Sequence, residues 1–376
     1  MLNSARLIAS RRAMRTPTLA WLASAMIACG GGDSTSEPSV ERLRGQTMGT
    51  SYSVIAVDPA GELSPAARLQ GRIDSLLEAI NAEVNTYDPS SMISRLNAGD
   101  TLALPVVSEI DALQAAEGGH LAVNLALAEP PYRLSGGAFD PTVGPLVEYY
   151  GFGAGFVDHS AVDPEEVQRL LGLVGFANFV ADTLPDGEVL RLYSSVPGAR
   201  LDLSALAKGY AVDQVGHLLA GEFGLANFFV EIGGETVVRG ASPRGTPWTI
   251  GINTPVEGAA LTDLEVILEL TDAAVATSGN YRNVRIRGGE RYVHTIDPRT
   301  GSAGESRLLS ASVLAPSCAV ADAYATACMA SGEGAEAVLA AAGLPGCLIF
   351  AARGDAFDVR YVGDFAERVV AEEEQQ

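Results

Sequence analysis

The chain of 376 residues contains very few lysines, cysteines and histidines. Arginine accounts for 24 of the 25 basic residues, so Lys208 is the single lysine of the sequence. Four cysteines without a C-x-x-C pair, together with four histidines, argue against a zinc site made of these residues. The sequence also lacks a P-loop, a G-x-G-x-x-G motif, a G-x-S-x-G motif and an H-E-x-x-H motif. The enzyme classes that depend on these motifs therefore lose support.

Positive charge is scarce as well, since 46 acidic residues against 25 basic ones give a formal net charge of −21. Such a surface repels phosphate backbones, so we expect no nucleic acid partner. An anionic small ligand would need a local site, such as a metal ion, a helix N-terminus or one placed cation. Hydrophobic residues make up 47% of the chain, which is ample for a buried core and excludes wholesale disorder.

The first 28 residues predict an export signal. Four arginines precede an apolar stretch at 18–28, which is shorter than the roughly 20 residues that span a bilayer. Cys29 follows, so this segment is similar to a bacterial lipoprotein signal with Cys29 as its lipidation site. Ordinary cleavage without a lipid is the alternative. Residues 29–45 predict a flexible tether, and we therefore expect an extracytoplasmic, membrane-anchored lipoprotein.

Residues 46–362 predict one α+β domain, and residues 363–376 an acidic tail. Segment 46–57 alternates like a strand, and Ser64 and Pro65 then predict the start of a helix. The apolar face of this helix comprises Leu69, Ile73, Leu76, Leu77, Ile80 and Val84. Further helices are predicted at 108–128, from 163, and at 204–219, 319–330 and 335–342. From Asn227 the pattern favours strands. Three cysteines besides Cys29 allow one disulfide at most.

Asp322 and Thr326 are the first candidate pair for a functional site. They are four residues apart in a segment that predicts a helix, so they project from the same face. A carboxylate beside a hydroxyl suits Mg²⁺, which prefers oxygen ligands and keeps several waters. The alternative is a structural hydrogen bond between the two side chains within the helix.

Lys208 and His294 are two further candidates. In a chain that otherwise uses arginine, a lysine suggests a site that needs a compact point charge, facing either a phosphate or a carboxylate. The alternative is that Lys208 has no functional role and is a lysine that remains by chance in a chain biased towards arginine. His294 stands at the end of a predicted strand, where it could accept a proton or be only structural. Met48 and Tyr87 could pack on a flat ring, although core packing is the ordinary role of such residues.

Taken in order, eight collinear motifs closely resemble the ApbE family of flavin transferases. They are TMGT at 47–50, YDP at 87–89 with SRLN at 94–97, GAFDPTVGPL at 137–146 with GFG at 151–153, LDLS at 201–204 with AKGYAVD at 207–213, EIGGE at 231–235, ATSG at 276–279, HTIDPRTG at 294–301 and ADA at 321–323. The resemblance covers about 46–352. It implies a single T-fold-like domain with mixed or antiparallel sheets and packed helices.

The resemblance also implies a reaction. Members of the family cleave FAD with Mg²⁺, release AMP and attach FMN to a Thr or Ser of a partner protein. Their partners include subunits of sodium-pumping NADH:quinone reductase and related electron-transfer complexes. Some members resemble FAD pyrophosphatases, which release FMN and AMP. Both this hydrolysis and a lipoprotein that binds FAD without turnover stay open as alternatives.

Site residues follow from the same resemblance. The positions that align with FAD-binding residues are Met48, Tyr87, Ala138, Phe139, Asp140, Asp202, Lys208 and Ile296. The backbone carbonyl of Ala205 and the side chains of Asp322 and Thr326 align with metal ligands. His294 aligns with the catalytic base, and Lys208 and Asp322 complete the predicted catalytic set. The chain departs from the family at Asn280, where an Asp is usual, so a charge role at that position is in doubt.

Overall fold

The computed structural model describes residues 6–9, 38–61, 63–106, 119–156, 160–184, 189–260, 262–281, 283–304, 306–354 and 356–370. The strands are β1 (Arg6–Ala9), β2 (Ser39–Thr47), β3 (Thr50–Asp58), β4 (Leu102–Pro105), β5 (Phe179–Thr183), β6 (Val189–Ser194), β7 (Asn227–Ile232), β8 (Glu235–Arg239), β9 (Trp248–Asn253), β10 (Leu264–Leu270), β11 (Ala273–Gly279), β12 (Val284–Arg287), β13 (Glu290–Asp297), β14 (Ser302–Gly304), β15 (Leu308–Ala315), β16 (Gly346–Ala351) and β17 (Phe357–Val362). The helices are α1 (Ala66–Val84), α2 (Met92–Asn97), α3 (His120–Leu134), α4 (Gly144–Tyr150), α5 (Pro164–Leu171), α6 (Ser204–Gly221), α7 (Cys318–Ser331) and α8 (Ala335–Ala342).

A large antiparallel sheet organises the molecule. Its strand order is β1-β17-β16-β15-β11-β8-β7-β3-β2. Smaller sheets have the orders β10-β9, β12-β13-β14 and β4-β6-β5. Helices together with antiparallel sheets confirm the predicted α+β class.

Both faces of the large sheet are buried, because successive residues of a strand point to opposite sides. On β3, Val54 and Ala56 belong to the main core with residues of α1, α6 and α7. Val57, on the other face, packs in a second cluster with Trp248 of β9 and Leu268 of β10. The helices and the β9-β10 pair therefore cover opposite faces of the sheet.

Most predicted elements are confirmed, with shifts at their ends. The six predicted core positions of α1 are its buried residues, although the helix begins at Ala66 and its N-cap, Pro65, has no side-chain cap. The helix predicted from residue 163 is α5, which begins at Pro164; Asp163 caps it by accepting a hydrogen bond from the amide of Glu165 at 2.9 Å. The helix predicted at 108–128 is displaced, since α3 begins at His120; residues 107–118 lie outside the described residues.

Two predicted boundaries differ from the structure. The tether is expected to extend to residue 45, but Ser39–Thr47 form β2 and pair with β3, because the alternating pattern continues upstream. The start of the acidic tail also belongs to the fold: Phe365 is fully buried, and the amide of Val370 donates to the carbonyl oxygen of Ile267 at 2.8 Å.

The N-terminal segment is described only at Arg6–Ala9, which pairs with β17. Cys29 lies outside the described residues, so the signal and lipidation site stay predictions. In the described ranges, the helices include none long and apolar enough to cross a membrane. Cys318, Cys328 and Cys347 are free and buried.

Candidate functional site

The site is built where α6 and α7 cross. Gly209 of α6 makes this crossing close, because a Cβ atom there would lie 2.3 Å from the carbonyl oxygen of Cys318. Asp213, one turn further along α6, binds the start of α7. Its carboxylate accepts hydrogen bonds from the Ser317 hydroxyl at 2.7 Å and from the amides of Cys318 and Ala319 at 2.8 and 2.9 Å. These contacts set the position of α7 relative to α6.

Burial raises the pKa of Asp213 to about 6, and its three hydrogen bonds oppose that rise. A carboxylate buried in this way is costly unless it is hydrogen-bonded. Its role as a cap for the first turn of α7 accounts for its presence in the core.

Three charged side chains meet beside this crossing; we call Lys208, Glu235 and Asp322 the charged cluster. The Nζ atom of Lys208 lies 2.6 Å from Oε1 of Glu235 and 3.7 Å from Oδ2 of Asp322. The Lys208 side chain is 28% exposed, whereas those of Glu235 and Asp322 are 5% and 2% exposed. One cation thus faces two buried carboxylates at the edge of solvent.

Burial and mutual attraction set the protonation of the charged cluster. Burial alone would lower the pKa of Lys208, but the carboxylates of Asp322 and Glu235 raise it, so the ammonium stays charged. Burial raises the pKa of Glu235 to about 7 against the attraction of Lys208. Burial also raises the pKa of Asp322, and Lys208 and the Gly209 amide counteract it.

The predicted metal ligands are brought together at the same place. Oδ2 of Asp322 accepts a hydrogen bond at 3.1 Å from the amide of Gly209, whose regular helical acceptor would be the carbonyl of Ala205. The carboxylate therefore lies next to that carbonyl. Thr326, one turn after Asp322, has its hydroxyl 3.3 Å from that of Ser278 on β11. The two side chains thus make their hydrogen bonds to other elements, Asp322 to α6 and Thr326 to β11.

These oxygens are chemically suited to a hard cation. A carboxylate, a hydroxyl and a carbonyl are the ligand types that Mg²⁺ takes while it keeps several waters. Over the described ranges there is no cluster of three or more His, Cys, Asp or Glu that could hold a metal. The donor set thus fits Mg²⁺ and offers no site of the type that zinc prefers.

His294 lies on β13 near the charged cluster. Burial lowers its pKa, a hydrogen bond with the backbone of Asn283 opposes that shift, and the positive charge of Lys208 adds to it. Its Nδ1 atom is buried without a hydrogen-bond partner among the described residues, and its ring meets that of Phe152 edge-on, with 6.3 Å between centroids. A neutral imidazole at neutral pH can accept a proton.

An open cleft of about 380 Å³ is lined by Tyr87, by Gly153, which follows Phe152 in the chain, and by Asp202, which precedes α6. Tyr87, which is 63% exposed, donates a hydrogen bond from its hydroxyl to the carbonyl of Phe152 at 2.6 Å. Burial raises the pKa of Tyr87, and the nearby negative charge of Asp202 raises it further. Asp202 caps α6 by accepting from the amide of Ser204 at 2.9 Å. The cleft therefore has an aromatic ring and a carboxylate in its lining.

Side chains of α2 and α4 hold the cleft in shape by binding the segment before α6. The side chain of Asn97 donates a hydrogen bond to the backbone carbonyl of Leu201 at 2.9 Å and accepts one from the backbone amide of Leu201 at 2.8 Å. These two bonds fix the residue before Asp202. On another wall, Arg200 pairs with Glu148 at 2.7 Å.

The other predicted flavin-binding positions lie deeper. Ala138 and Phe139 are buried, and Ile296 packs in a third core cluster. Asp140 is also buried; its carboxylate accepts hydrogen bonds from the amide and hydroxyl of Thr142 at 2.8 and 2.6 Å. Burial raises its pKa. Met48, at φ +48°, forms the β2–β3 turn. The structure brings Lys208, Ala205, Asp322 and Thr326 together, with His294 nearby. The remaining predicted flavin-binding positions lie elsewhere: Ala138, Phe139 and Ile296 in the core, Met48 in a turn, and Asp140 in hydrogen bonds to Thr142.

The structure adds two residues, Glu235 and Asp213, to those that the sequence predicts for the site. Both stand in motifs that carry the family resemblance, but the sequence analysis gives neither of them a role. Two features of the sequence could have indicated them. Glu235 comes directly after a Gly-Gly turn, and Asp213 comes five residues after the single lysine. Asn280, where the family usually has Asp, is 8% exposed, and its Oδ1 atom has no hydrogen-bond partner among the described residues.

Comparisons with known proteins agree with this geometry. The ApbE family profile matches residues 48–348. The FAD:protein FMN transferase of Haemophilus influenzae is 33% identical over 297 residues, covering 79% of this chain and 82% of that protein. The enzyme of the same name from Vibrio cholerae is 35% identical over 294 residues, which cover 77% of this chain and 81% of that protein.

Solved structures show the same likeness. The flavin transferase ApbE from Vibrio cholerae superposes with a TM-score of 0.73 at 33% identity, covering 88% of this chain and 99% of that one. The flavinyl transferase ApbE of Pseudomonas stutzeri, in its apo form, gives a TM-score of 0.73 at 30% identity, and the match covers 89% of this chain and 98% of that one.

The fold, the charged cluster and these matches together define a transferase of the flavin class. The chain belongs to the ApbE family. The family resemblance read from the eight motifs is thereby confirmed, as is the enzyme class it implied.

Proposed function

We propose that this chain transfers FMN from FAD to a Thr or Ser hydroxyl of a partner protein in a Mg²⁺-dependent reaction that releases AMP. Its relatives named as FAD:protein FMN transferases support the reaction class. The observation that carries the proposal is the position of Lys208, whose Nζ lies 3.7 Å from Asp322. Ala205 stands on the same helix as Lys208, Thr326 on the same helix as Asp322, and a neutral His294 is nearby. Phosphoryl transfer needs placed positive charge and a proton acceptor, and both are present.

The bonds of the proposed reaction balance simply. The acceptor hydroxyl oxygen forms a bond to the FMN phosphorus, while the bond from that phosphorus to the bridging oxygen of the diphosphate breaks. The bridging oxygen leaves with AMP. His294 takes the hydroxyl proton, because its imidazole is neutral and its Nδ1 atom has no partner among the described residues. Lys208 keeps its charge near the diphosphate, since two carboxylates raise its pKa.

Mg²⁺ held by the oxygens of Ala205, Asp322 and Thr326 would neutralise negative charge on the diphosphate. The chain's own contribution is to hold those oxygens in place. Asp213 and Gly209 do so, by binding the start of α7 and by permitting the close crossing with α6. On a protein with net charge −21, such local positive charge is what allows an anionic substrate to bind.

Tyr87 and Asp202 at the cleft, and the deeper positions Met48, Ala138, Phe139, Asp140 and Ile296, are proposed to hold FAD. We further propose that the protein acts outside the cytoplasm as a lipoprotein anchored through Cys29. Its acceptors would then be quinone reductase subunits or related electron-transfer proteins. The export pattern of residues 1–28 supports this location.

One experiment separates transfer from the two alternatives. The protein is incubated with FAD, Mg²⁺ and a Thr-bearing acceptor, and the products are resolved by gel fluorescence and chromatography. A covalently fluorescent acceptor with release of AMP supports transfer. Free FMN and AMP with an unlabelled acceptor would instead make the chain an FAD pyrophosphatase. Intact FAD bound to the protein would make it a carrier.

A further inference from the structure

Glu235 takes no part in the chemistry proposed above, yet it makes the shortest contact of the charged cluster. Its Oε1 atom lies 2.6 Å from Nζ of Lys208, whereas the nearest oxygen of Asp322 lies 3.7 Å from the same nitrogen. Its Oε2 atom is buried and has no hydrogen-bond partner among the described residues. A carboxylate buried at this cost calls for a reason beyond packing.

The two carboxylates compete for one ammonium group. Lysine carries its charge on a flexible four-carbon stem, so Nζ can move between partners that lie within reach. With Glu235 present, the ammonium rests on Glu235. Without it, the remaining anion of the charged cluster is Asp322, already 3.7 Å away. A closer ion pair, at hydrogen-bond distance, would occupy the carboxylate that is proposed to bind the metal.

The backbone holds Glu235 in place independently of the helices. It is the first residue of β8, directly after Gly233 and Gly234, whose φ angles of +66° and +112° favour glycine. The amide of Gly233 donates to the carbonyl of Ser51 at 3.2 Å, which ties the turn to β3. The amide of Gly234 donates to the carboxylate of Glu231 at 2.7 Å. Glu235 is thus a fixed anchor for a mobile lysine side chain.

We propose that Glu235 is a positioning residue that holds the ammonium of Lys208 away from Asp322 and so leaves the Asp322 carboxylate free for a divalent cation. This inference rests on the proposed metal site. It assigns Glu235 a role through Lys208 and no contact with the reacting atoms.

The test measures Mn²⁺ binding to the full chain without FAD, by the electron paramagnetic resonance signal of free Mn²⁺. E235Q keeps the size of the side chain but loses the charge that holds Lys208. We expect E235Q to weaken Mn²⁺ binding by about tenfold or more. In K208M no ammonium can reach Asp322, so adding E235Q should weaken binding by a factor of about 3 or less.

The double-mutant comparison separates positioning from simple charge. An equal loss from E235Q in the wild-type and K208M backgrounds would show that Glu235 acts only by its charge, and would overturn the inference. E235D supplies a second measurement, because it keeps the charge but is too short for the 2.6 Å contact. We expect weaker Mn²⁺ binding in E235D, and a wild-type Kd would also overturn the inference.

D322A distinguishes this inference from the function on which it rests. If wild type binds Mn²⁺ no more tightly than D322A, the metal site is wrong, and the role of Glu235 falls with it. If D322A weakens binding while E235Q and E235D do not, only the role of Glu235 is wrong. Melting curves for each variant establish that the compared proteins are folded.

Discussion

The charged cluster and the cleft beside it are built in opposite ways. Lys208, Glu235 and Asp322 stand on two helices and a strand, and the two carboxylates are almost fully buried. Tyr87 and Asp202, by contrast, stand outside helices and strands and line an open cleft. Groups that must stabilise developing charge need fixed positions and low exposure. Groups that only receive a substrate tolerate exposure, as loop residues on a rigid scaffold commonly do.

This contrast predicts which substitutions matter most. Changes in the charged cluster or in the packing beneath it should affect the rate or the folding, because a lost partner there leaves a buried charge unpaired or a buried contact unfilled. Changes at the cleft should affect FAD affinity, and only modestly.

Asp322→Ala should remove the proposed metal site. A metal that stabilises charge in phosphoryl transfer contributes several kcal/mol, which corresponds to a loss of about 1000-fold or more in Mg²⁺-dependent turnover. Turnover is measured against Mg²⁺ concentration. Asp182→Ala, on β5, serves as the control, since its carboxylate pairs with Arg191 at the surface. Full turnover of D322A at limiting Mg²⁺ would refute the site.

His294→Ala should slow transfer by about 100-fold to 10,000-fold, because a general base is lost. FAD affinity, measured by fluorescence, should change far less. His217→Ala is the matched control, since burial also lowers the pKa of His217, which lies on α6. Equal losses in FAD binding and transfer rate would make His294 a binding or structural residue.

Gly209→Ala should lower the free energy of unfolding by about 3 kcal/mol, because the new Cβ atom would overlap the carbonyl of Cys318 and force α6 and α7 apart. Urea unfolding measures the change. Gly71→Ala on α1 is the control; its Cβ atom would meet nothing within 4 Å and should stabilise the helix by about 1 kcal/mol. Wild-type stability of G209A would contradict the close crossing.

The pH dependence of transfer should have its acid limb below the ordinary histidine value of 6.5, because burial lowers the pKa of His294. A lowered pKa keeps the imidazole neutral down to that lower pH. The rate should therefore be flat between about pH 7 and 8 and fall by about tenfold per unit at low pH. If the transfer rate of H294Q falls at the same acid pH as that of wild type, the fall reports the protonation of another group.

Tyr87→Phe should raise the KM for FAD by only about 2- to 10-fold, since it removes one hydrogen bond, to the carbonyl of Phe152, at an exposed position. The value of kcat should stay close to that of wild type. Tyr193→Phe on β6 provides the comparison away from the cleft. A large fall in kcat for Y87F would place Tyr87 in the rate-determining chemistry and weaken the contrast between the two regions.

The helices show how far local pattern carries a prediction. The apolar positions of α1, the cap of α5 and the bounds of α8 follow from periodicity and capping chemistry, which act over a few residues. The predicted start of β2 at residue 46 is wrong, although its partner β3 is the next strand of the same hairpin. Residues 363–370 belong to the fold instead of the predicted tail, because their partner β10 is distant in sequence and only tertiary contacts select it.

The sequence by itself determined the family, the α+β class and the candidates Lys208, His294, Asp322 and Thr326, since motifs and helical spacing are local properties. Only the tertiary structure decided that Glu235 is the nearest partner of Lys208 and that Asp213 caps the helix carrying Asp322. Residues 208 and 235 stand on different elements, as do 213 and 318, and only the packing of α6 against α7 and the sheet brings them within hydrogen-bond distance.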